Sequence, residues 1–216
     1  MSGAGPPEAG AVPDGFWARV GWTEARAAAL GAYRAKLEAA NRKVNLVGAS
    51  TLGDFWTRHV LDSAQLIWFA PEATTWVDLG SGAGLPGVVL AILLSGRAGA
   101  RVELVESMAK RCRFLEEVVG ELRLPARVWN GRAENLRLSA QIVTARACAP
   151  MDRLLDYAAP HLRGTAQGLF LKGGAVAGEL AAARAHWRFT AQCETSLSDP
   201  RGRVVWIRNL SRAAKR

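Results

Sequence analysis

The stretch Asp78-Leu79-Gly80-Ser81-Gly82-Ala83-Gly84-Leu85-Pro86-Gly87 holds glycines and an acid in a spacing that suits a nucleoside ligand. Glycine lets a backbone turn sharply and come within contact of a bound molecule. A helix starting just after such a loop adds unpaired N–H groups and the positive end of its dipole. Gly82-x-Gly84-x-x-Gly87 matches the dinucleotide fingerprint, and Glu106 lies 19 residues beyond Gly87, where an acid holds ribose hydroxyls. Two features favour S-adenosylmethionine, which has a ribose diol but no pyrophosphate. Asp78, at the end of the preceding strand, is placed to meet the ammonium of a methionine moiety, directly or through water, and would repel a pyrophosphate. Pro86 removes one of the early helix donors that a pyrophosphate would use. NAD stays open as the competing ligand.

The elements that must hold this loop follow from periodicity. Residues 74–79 are β-branched and aromatic, which suits a strand entering the loop, and Pro86 marks the first turn of the next helix. A strand over Arg101–Glu106 precedes a helix whose Phe114, Leu115, Val118, Val119 and Leu122 make one buried stripe. Further strands are predicted at 126–130, 140–146 and 167–172, with helices at 151–162 and 175–185. This alternation predicts a mostly parallel, doubly wound α/β sheet. The last two strands, about 187–195 and 203–209, are joined by Ser198-Asp199-Pro200-Arg201-Gly202, turn chemistry for an antiparallel hairpin. Before residue 74 the pattern is helical. Thr23 caps a helix carrying Leu30, Tyr33 and Leu37, a loop follows over 41–48, and Thr51-x-x-Asp54 opens a second helix. The expected organisation is a disordered leader over 1–15, a helical extension over 16–72, a main domain over 73–210 and a basic tail over 211–216.

Several patches occur in a consistent order: Asn41 to Leu46; Arg58-His59-x-x-Asp62-Ser63; the glycine loop; Glu106-Ser107-x-x-Lys110-Arg111-x-x-Phe114-Leu115; Arg132-Ala133-Glu134; Ala145-Arg146-Ala147; and Leu171-Lys172-Gly173. Together, over about residues 28–209, they resemble the bacterial 16S ribosomal RNA guanine-N7 methyltransferases, the glucose-inhibited division protein B family. The resemblance implies a class I S-adenosylmethionine-dependent methyltransferase, Rossmann-like, with a helical N-terminal extension. It also implies methyl transfer to N7 of the guanine at position 527 of 16S ribosomal RNA, on naked RNA or the small subunit. Carried over position by position, the cofactor contacts are Gly80, Leu85, Ala133, Glu134 and Arg146, with Glu106 on the ribose. Asp78, Gly82 and Gly84 join them from the reading of the loop. Cys148 departs from the apolar residue expected after the fourth strand.

Guanine N7 is an in-plane lone pair, so it attacks the methyl without losing a proton, and no general base is required. Catalysis then rests on alignment. The fourth strand ends in Arg146-Ala147-Cys148-Ala149-Pro150, not in the Asn/Asp-Pro-Pro-Tyr that orients exocyclic amino groups. Methylation leaves the base cationic, so Arg132 and Arg146 are expected on guanine O6, a phosphate or the cofactor carboxylate instead of on N7. Salt bridges at the pocket rim are their plainer alternative. Asn45 is the candidate donor and acceptor to the target base, with a turn role as its alternative. Arg42, Lys43, Lys110 and Arg111 are the candidate phosphate contacts. Arg58 and Asp62 stand four apart and are expected to pair, while His59 couples the N-terminal helices to the sheet. Cys148 keeps a cytosine-C5 mechanism formally open.

Composition agrees with a polyanionic partner. The 216 residues carry 28 Lys and Arg against 19 Asp and Glu, a formal charge of +9 with a pI near 10.3. The longest apolar run, around Val88–Leu94, is far too short for a membrane helix. Cys112, Cys148 and Cys193 are widely spaced and lack a C-x-x-C pair, which argues against a disulfide framework or a metal site. A cytoplasmic monomer without a metal is the expectation.

Overall fold

The computed structural model describes residues 12–43, 46–48 and 52–214. Most of the expected leader, Asn45, Thr51 and the tail residues Lys215 and Arg216 lie outside the described residues. The chain opens with a short helix α1, Phe16–Arg19, and a long helix α2, Glu24–Asn41, whose first turn is capped by the Thr23 hydroxyl accepting from the Arg26 N–H. A π-helical segment, Trp56–Leu61, runs directly into α3, Asp62–Phe69. The expected Arg58–Asp62 ion pair is absent, because the wider π turn breaks the i, i+4 alignment of an α-helix. Asp62 faces Arg146 of the sheet instead.

The α/β part runs β1 (Thr75–Leu79), α4 (Gly87–Leu94), β2 (Arg101–Glu106), α5 (Ala109–Glu121), β3 (Ala126–Asn130), β4 (Ile142–Arg146), α6 (Met151–Ala158), β5 (Gln167–Lys172), α7 (Val176–Ala183), β6 (Trp187–Thr195) and β7 (Arg203–Arg212). Among the described residues these strands form one seven-stranded sheet in the order β3-β2-β1-β4-β5-β7-β6. The pairs β2–β3, β1–β2, β1–β4 and β4–β5 are parallel, whereas β7 inserts antiparallel between β5 and β6. Pro86 stands just before the α4 helix instead of inside its first turn.

Side chains on each strand alternate between two cores. On one face Trp76, Val102, Leu104, Ile142, Leu169 and Leu171 pack under α4 and the N-terminal helices, which contribute Leu30, Tyr33, Leu37 and Phe55 to the same cluster. On the other face Val77, Leu79, Val105, Val143 and Phe170 meet Leu154 and Leu155 of α6 and Val176 of α7. Every residue of α4 is buried, which fits a helix sandwiched between sheet and helices. Side chains such as Leu90 contribute roughly 1.5–3 kcal/mol each on burial. The direction of winding reverses between β1 and β4, so a crevice opens beyond the carboxyl ends of those strands, the usual ligand position in such sheets.

Candidate functional site

The glycine loop leaves β1 over the carboxyl end of β2. Gly80 and Ser81 both donate their N–H to the Val105 carbonyl, at 2.9 and 3.0 Å. Gly80 (φ +70°) and Gly82 (φ +57°) lie in the left-handed region. A Cβ on Gly80 would stand 2.8 Å from the Cys148 Sγ, so Cys148 fills the space that a larger residue would claim. Gly82 has no such neighbour, with only the Gly80 carbonyl at 3.7 Å from its notional Cβ. Its N–H donates to Glu106 Oε2 at 3.0 Å, and Glu106 Oε1 accepts from the Met108 N–H at 2.8 Å. Glu106 is therefore a buried carboxylate locked against the loop, with Arg111 at 3.7 Å.

A cavity of about 880 Å³ spreads from this loop across the crevice. Of the expected site residues, Gly80, Gly82, Leu85, Arg111 and Arg146 line it. Gly84 does not. A Cβ there would come within 2.4 Å of Val88 Cγ2, so packing of the loop itself demands a glycine. Arg132, Ala133 and Glu134 follow β3 in a 3₁₀ turn at the same edge, joined to Glu106 through the Gly131 N–H donating to its carbonyl at 2.9 Å. The cavity does not extend to them, and Arg132 and Glu134 are exposed. Arg42, Lys43 and Lys110 are likewise exposed and outside its lining. Asn45 lies outside the described residues.

Asp78 sits deeper than the loop surface. Its carboxyl does not reach the cavity but is fully buried beneath the loop, where Oδ2 accepts from the Gly87 N–H at 3.0 Å and Oδ1 is without a hydrogen-bond partner. Burial drives its pKa up to about 7 against the opposing pull of Ser81 and the Gly87 N–H. Gly87 must be glycine here, since a Cβ would stand 2.6 Å from Asp78 Oδ2 and 2.2 Å from Leu104 Cδ2.

The opposite wall is built on Arg146. Its Nη1 donates to the Arg58 carbonyl at 2.7 Å and to Asp62 Oδ2 at 3.1 Å, and Nη2 lies 3.0 Å from His59 Nδ1. A guanidinium only donates, so Nδ1 must accept and the His59 proton sits on Nε2. Burial, then the Arg146 charge, lowers the His59 pKa to about 4, leaving a neutral ring. His59 thus couples the N-terminal helices to the sheet. Ala147, next in the chain and also lining the cavity, holds φ +50°, a backbone strain of roughly 1–2 kcal/mol.

Sequence reading missed three parts of this site. Tyr33, grouped with the apolar stripe of α2, donates its hydroxyl to the Ala83 carbonyl at 2.8 Å and so ties that helix to the glycine loop. Asn41 Oδ1 accepts from the N–H groups of Leu46 and Val47, at 2.8 and 3.0 Å, which shapes the loop edge of the cavity. The third is the β6–β7 turn, which lines the cavity with Ser198, Asp199 and Arg201. A polar network fixes it to α3: Ser198 Oγ donates to Asp62 Oδ1 at 2.6 Å, Gln65 Nε2 to Ser196 Oγ at 3.0 Å, and the Leu197 N–H to Gln65 Oε1 at 2.8 Å. Only the antiparallel insertion of β7 brings this turn to the crevice, and one chain pattern cannot reveal that insertion.

Cys148, half-buried beside the loop, has its thiol pushed up to about 11, mainly by burial and then by Asp78. Among the described residues, no group of three or more His, Cys, Asp or Glu side chains is placed to hold a metal ion, and no helix is long and apolar enough to cross a membrane.

Comparison with known proteins adds to this geometry. Residues 26–203 match the family model described as GidB, rRNA small subunit methyltransferase G. The chain is 59% identical over 206 residues to the ribosomal RNA small subunit methyltransferase G of Caulobacter vibrioides, covering 95% of each chain. Its counterpart in Methylorubrum populi is 46% identical over 189 residues, covering 86% of this chain and 90% of the other. Among solved structures, the O-methyltransferase from Bacillus cereus in complex with SAH matches with a TM-score of 0.56 at 15% identity, over 84% of this chain and 91% of that one. Aeropyrum pernix fibrillarin, with natively bound S-adenosyl-L-methionine, matches with a TM-score of 0.52 at 16% identity, over 70% and 75%. These structural likenesses establish the fold, that of the class I methyltransferases.

Proposed function

The chain belongs to the GidB family, rRNA small subunit methyltransferase G, and from that premise we propose that it methylates N7 of a guanine in 16S ribosomal RNA. The guanine at position 527, implied by the family resemblance, is the proposed target. S-adenosylmethionine is the methyl donor of the family, and it supplies a methyl group on a sulfonium, activated for attack.

The residues present fit that donor better than a dinucleotide. A pyrophosphate needs free N–H groups at the α4 helix start, and these are already engaged. Pro86 has none, Gly87 donates to Asp78, and Val88 donates to the Gly84 carbonyl at 2.7 Å. The open approach at Gly82, beside Glu106, suits a ribose instead. Gly80, Gly82 and Leu85 are proposed to hold the cofactor, with Glu106 on its ribose hydroxyls and, from the family resemblance, Ala133 and Glu134 as further contacts.

One observation carries the N7 reading: the acceptor nitrogen of His59 is taken up by Arg146 and Cys148 stays a thiol, so neither side chain serves as a general base or a nucleophile. His59 is neutral with Nδ1 engaged by Arg146, and Cys148 is a thiol at neutral pH. An N7 lone pair needs neither a base nor a nucleophile, so the chain's work is to bind, to align and to exclude water. Arg146 is anchored by Asp62 and the Arg58 carbonyl, which keeps its charge from being aimed at a base that becomes cationic. We assign it a positioning role and propose Asn45, which lies outside the described residues, as a donor and acceptor to the target base. The helical extension over 16–72 completes the substrate side of the main domain, and the enzyme works in the cytoplasm as a monomer.

The test is transfer of labelled methyl from S-adenosylmethionine to small subunits from cells lacking the mark, with nucleoside mass analysis and site mapping. N7-methylguanosine at the mapped loop is the expected product. Methylation at C5 or at an exocyclic amine, or NADH binding without S-adenosylmethionine binding, would overturn the reading.

A further inference from the structure

The cations around the cavity are unequally engaged. Arg146 is held as described, and Lys172 bonds to Glu179 Oε2 at 2.6 Å and to the Ala149 carbonyl at 2.8 Å. Arg203 donates Nη1 to the carbonyls of Pro200 and Gly202, at 2.8 and 2.7 Å, and so belongs to the turn itself. Arg111 stands beside Glu106 on the cofactor side. What remains at the mouth is Arg58, exposed on the π segment, and Arg201, whose side chain is 83% exposed on the β6–β7 turn.

Asp199 lines the same cavity as both. Its carboxyl is held below the usual value first by the backbone N–H of Arg201, then by that residue's guanidinium, and also by the charge of Arg58. The contacts from the Arg201 guanidinium to Asp199 are long, 3.4 and 3.5 Å, and solvent-exposed, so a better acceptor can replace them at little cost. The platform beneath is rigid. The turn is closed by Gly202 N–H donating to the Asp199 carbonyl at 2.8 Å and Ser196 N–H to the Gly202 carbonyl at 3.1 Å. Ser198 and Leu197 fasten it to α3, and Arg146 fastens the π segment to β4.

Resting on the function proposed above, we infer that Arg58 and Arg201 form a phosphate clamp that grips the RNA backbone on either side of the target guanosine. Both exposed arginines line the cavity from fixed supports, and a planar guanidinium suits phosphate oxygens. Asp199 holds Arg201 through its backbone N–H and loosely through its guanidinium until RNA arrives. None of the four cations singled out from the sequence for RNA contact belongs to this pair.

The test compares R58A, R201A and the double variant with R58K and R201K. R188A, on the exposed far end of β6, controls for net charge. KM for unmethylated small subunits is expected to rise about tenfold for each Ala variant, with the effect on KM instead of kcat and with partial rescue by Lys. In filter binding of 16S RNA transcript, the slope of log affinity against log salt is expected to shrink by about one per arginine. S-adenosylmethionine affinity stays at the wild-type value. Wild-type slopes in R58A and R201A, equal losses in R188A, or weakened cofactor binding would each overturn the clamp. If the unmutated protein transfers no methyl to small subunits, the activity reading fails, and the RNA salt slopes still decide the clamp.

Discussion

Gly82 and Gly84 stand two residues apart in one loop, and the space around each assigns it different work. Both have positive φ, so any side chain there carries roughly 1 kcal/mol of strain or more. Around Gly84 a Cβ would also meet Val88 Cγ2 at 2.4 Å and Leu115 Cδ2 at 3.1 Å, branched side chains buried in the core that cannot swing away. Gly84→Ala is therefore expected to lose about 2–4 kcal/mol of stability through strain plus overpacking, read as a lower urea midpoint. Gly82→Ala has open space and is expected to stay within about 1–2 kcal/mol of the parent. It should lose S-adenosylmethionine affinity tenfold or more in calorimetry, because its methyl stands where the ligand approaches. Equal stability losses in the two variants, or unimpaired cofactor binding in Gly82→Ala, would refute this division. A sequence pattern makes the two glycines look alike, since φ and free space depend on what packs against the loop.

At the scale of elements, the cleft depends on how the N-terminal helices meet the β6–β7 turn. Gln65 is fully buried on α3 and bonds through both ends of its amide, to Ser196 Oγ and Asp62 on one side and to the Leu197 N–H on the other. Gln65→Ala leaves these groups without partners and is expected to cost about 2–4 kcal/mol. In hydrogen exchange the Leu197 amide should lose protection far more than amides of α6, which packs on the opposite face. Uniform loss across the protein would show that the network is not local. The strand and helix alternation was legible in the sequence because buried strands and amphipathic helices have strong periods. Expected strands at 126–130 and 167–172 match Ala126–Asn130 and Gln167–Lys172. The π winding over Trp56–Leu61 was not legible, since it differs from an α-helix by a shift in hydrogen-bond register that side-chain pattern hardly records. That shift moved Asp62 from the expected Arg58 to Arg146, and with it the meaning of the Arg58-His59-x-x-Asp62 patch.

For the whole molecule, the consequential feature is a carboxyl at the junction of sheet, loop and α4. Asp78 fixes the start of α4 through Gly87, yet its Oδ1 has no partner and burial raises its pKa from 3.8 to about 7. The sign follows from linkage. Between about pH 4 and 7 the unfolded chain has released this proton while the folded chain retains it. Stability contributed by Asp78 is therefore fully present below pH 3.8, falls as pH rises toward 7, and changes little above that. Asp78→Asn keeps an oxygen acceptor for Gly87 but cannot ionise. The variant is expected to show a flatter urea midpoint between pH 5 and 8 than the parent, and to be relatively more stable at pH 8 than at pH 5. Parallel pH profiles for the two proteins would mean that Asp78 does not titrate in this range. Because the charged form alone is penalised, a cation near Oδ1 would relieve the penalty. If the cofactor's ammonium approaches that oxygen through the loop, S-adenosylmethionine should raise the parent's midpoint more at pH 8 than at pH 5. For Asp78→Asn the ligand-induced rise should be nearly the same at both values. A pH-independent rise in the parent would place the ammonium elsewhere and leave Asp78 with its structural role at the α4 start.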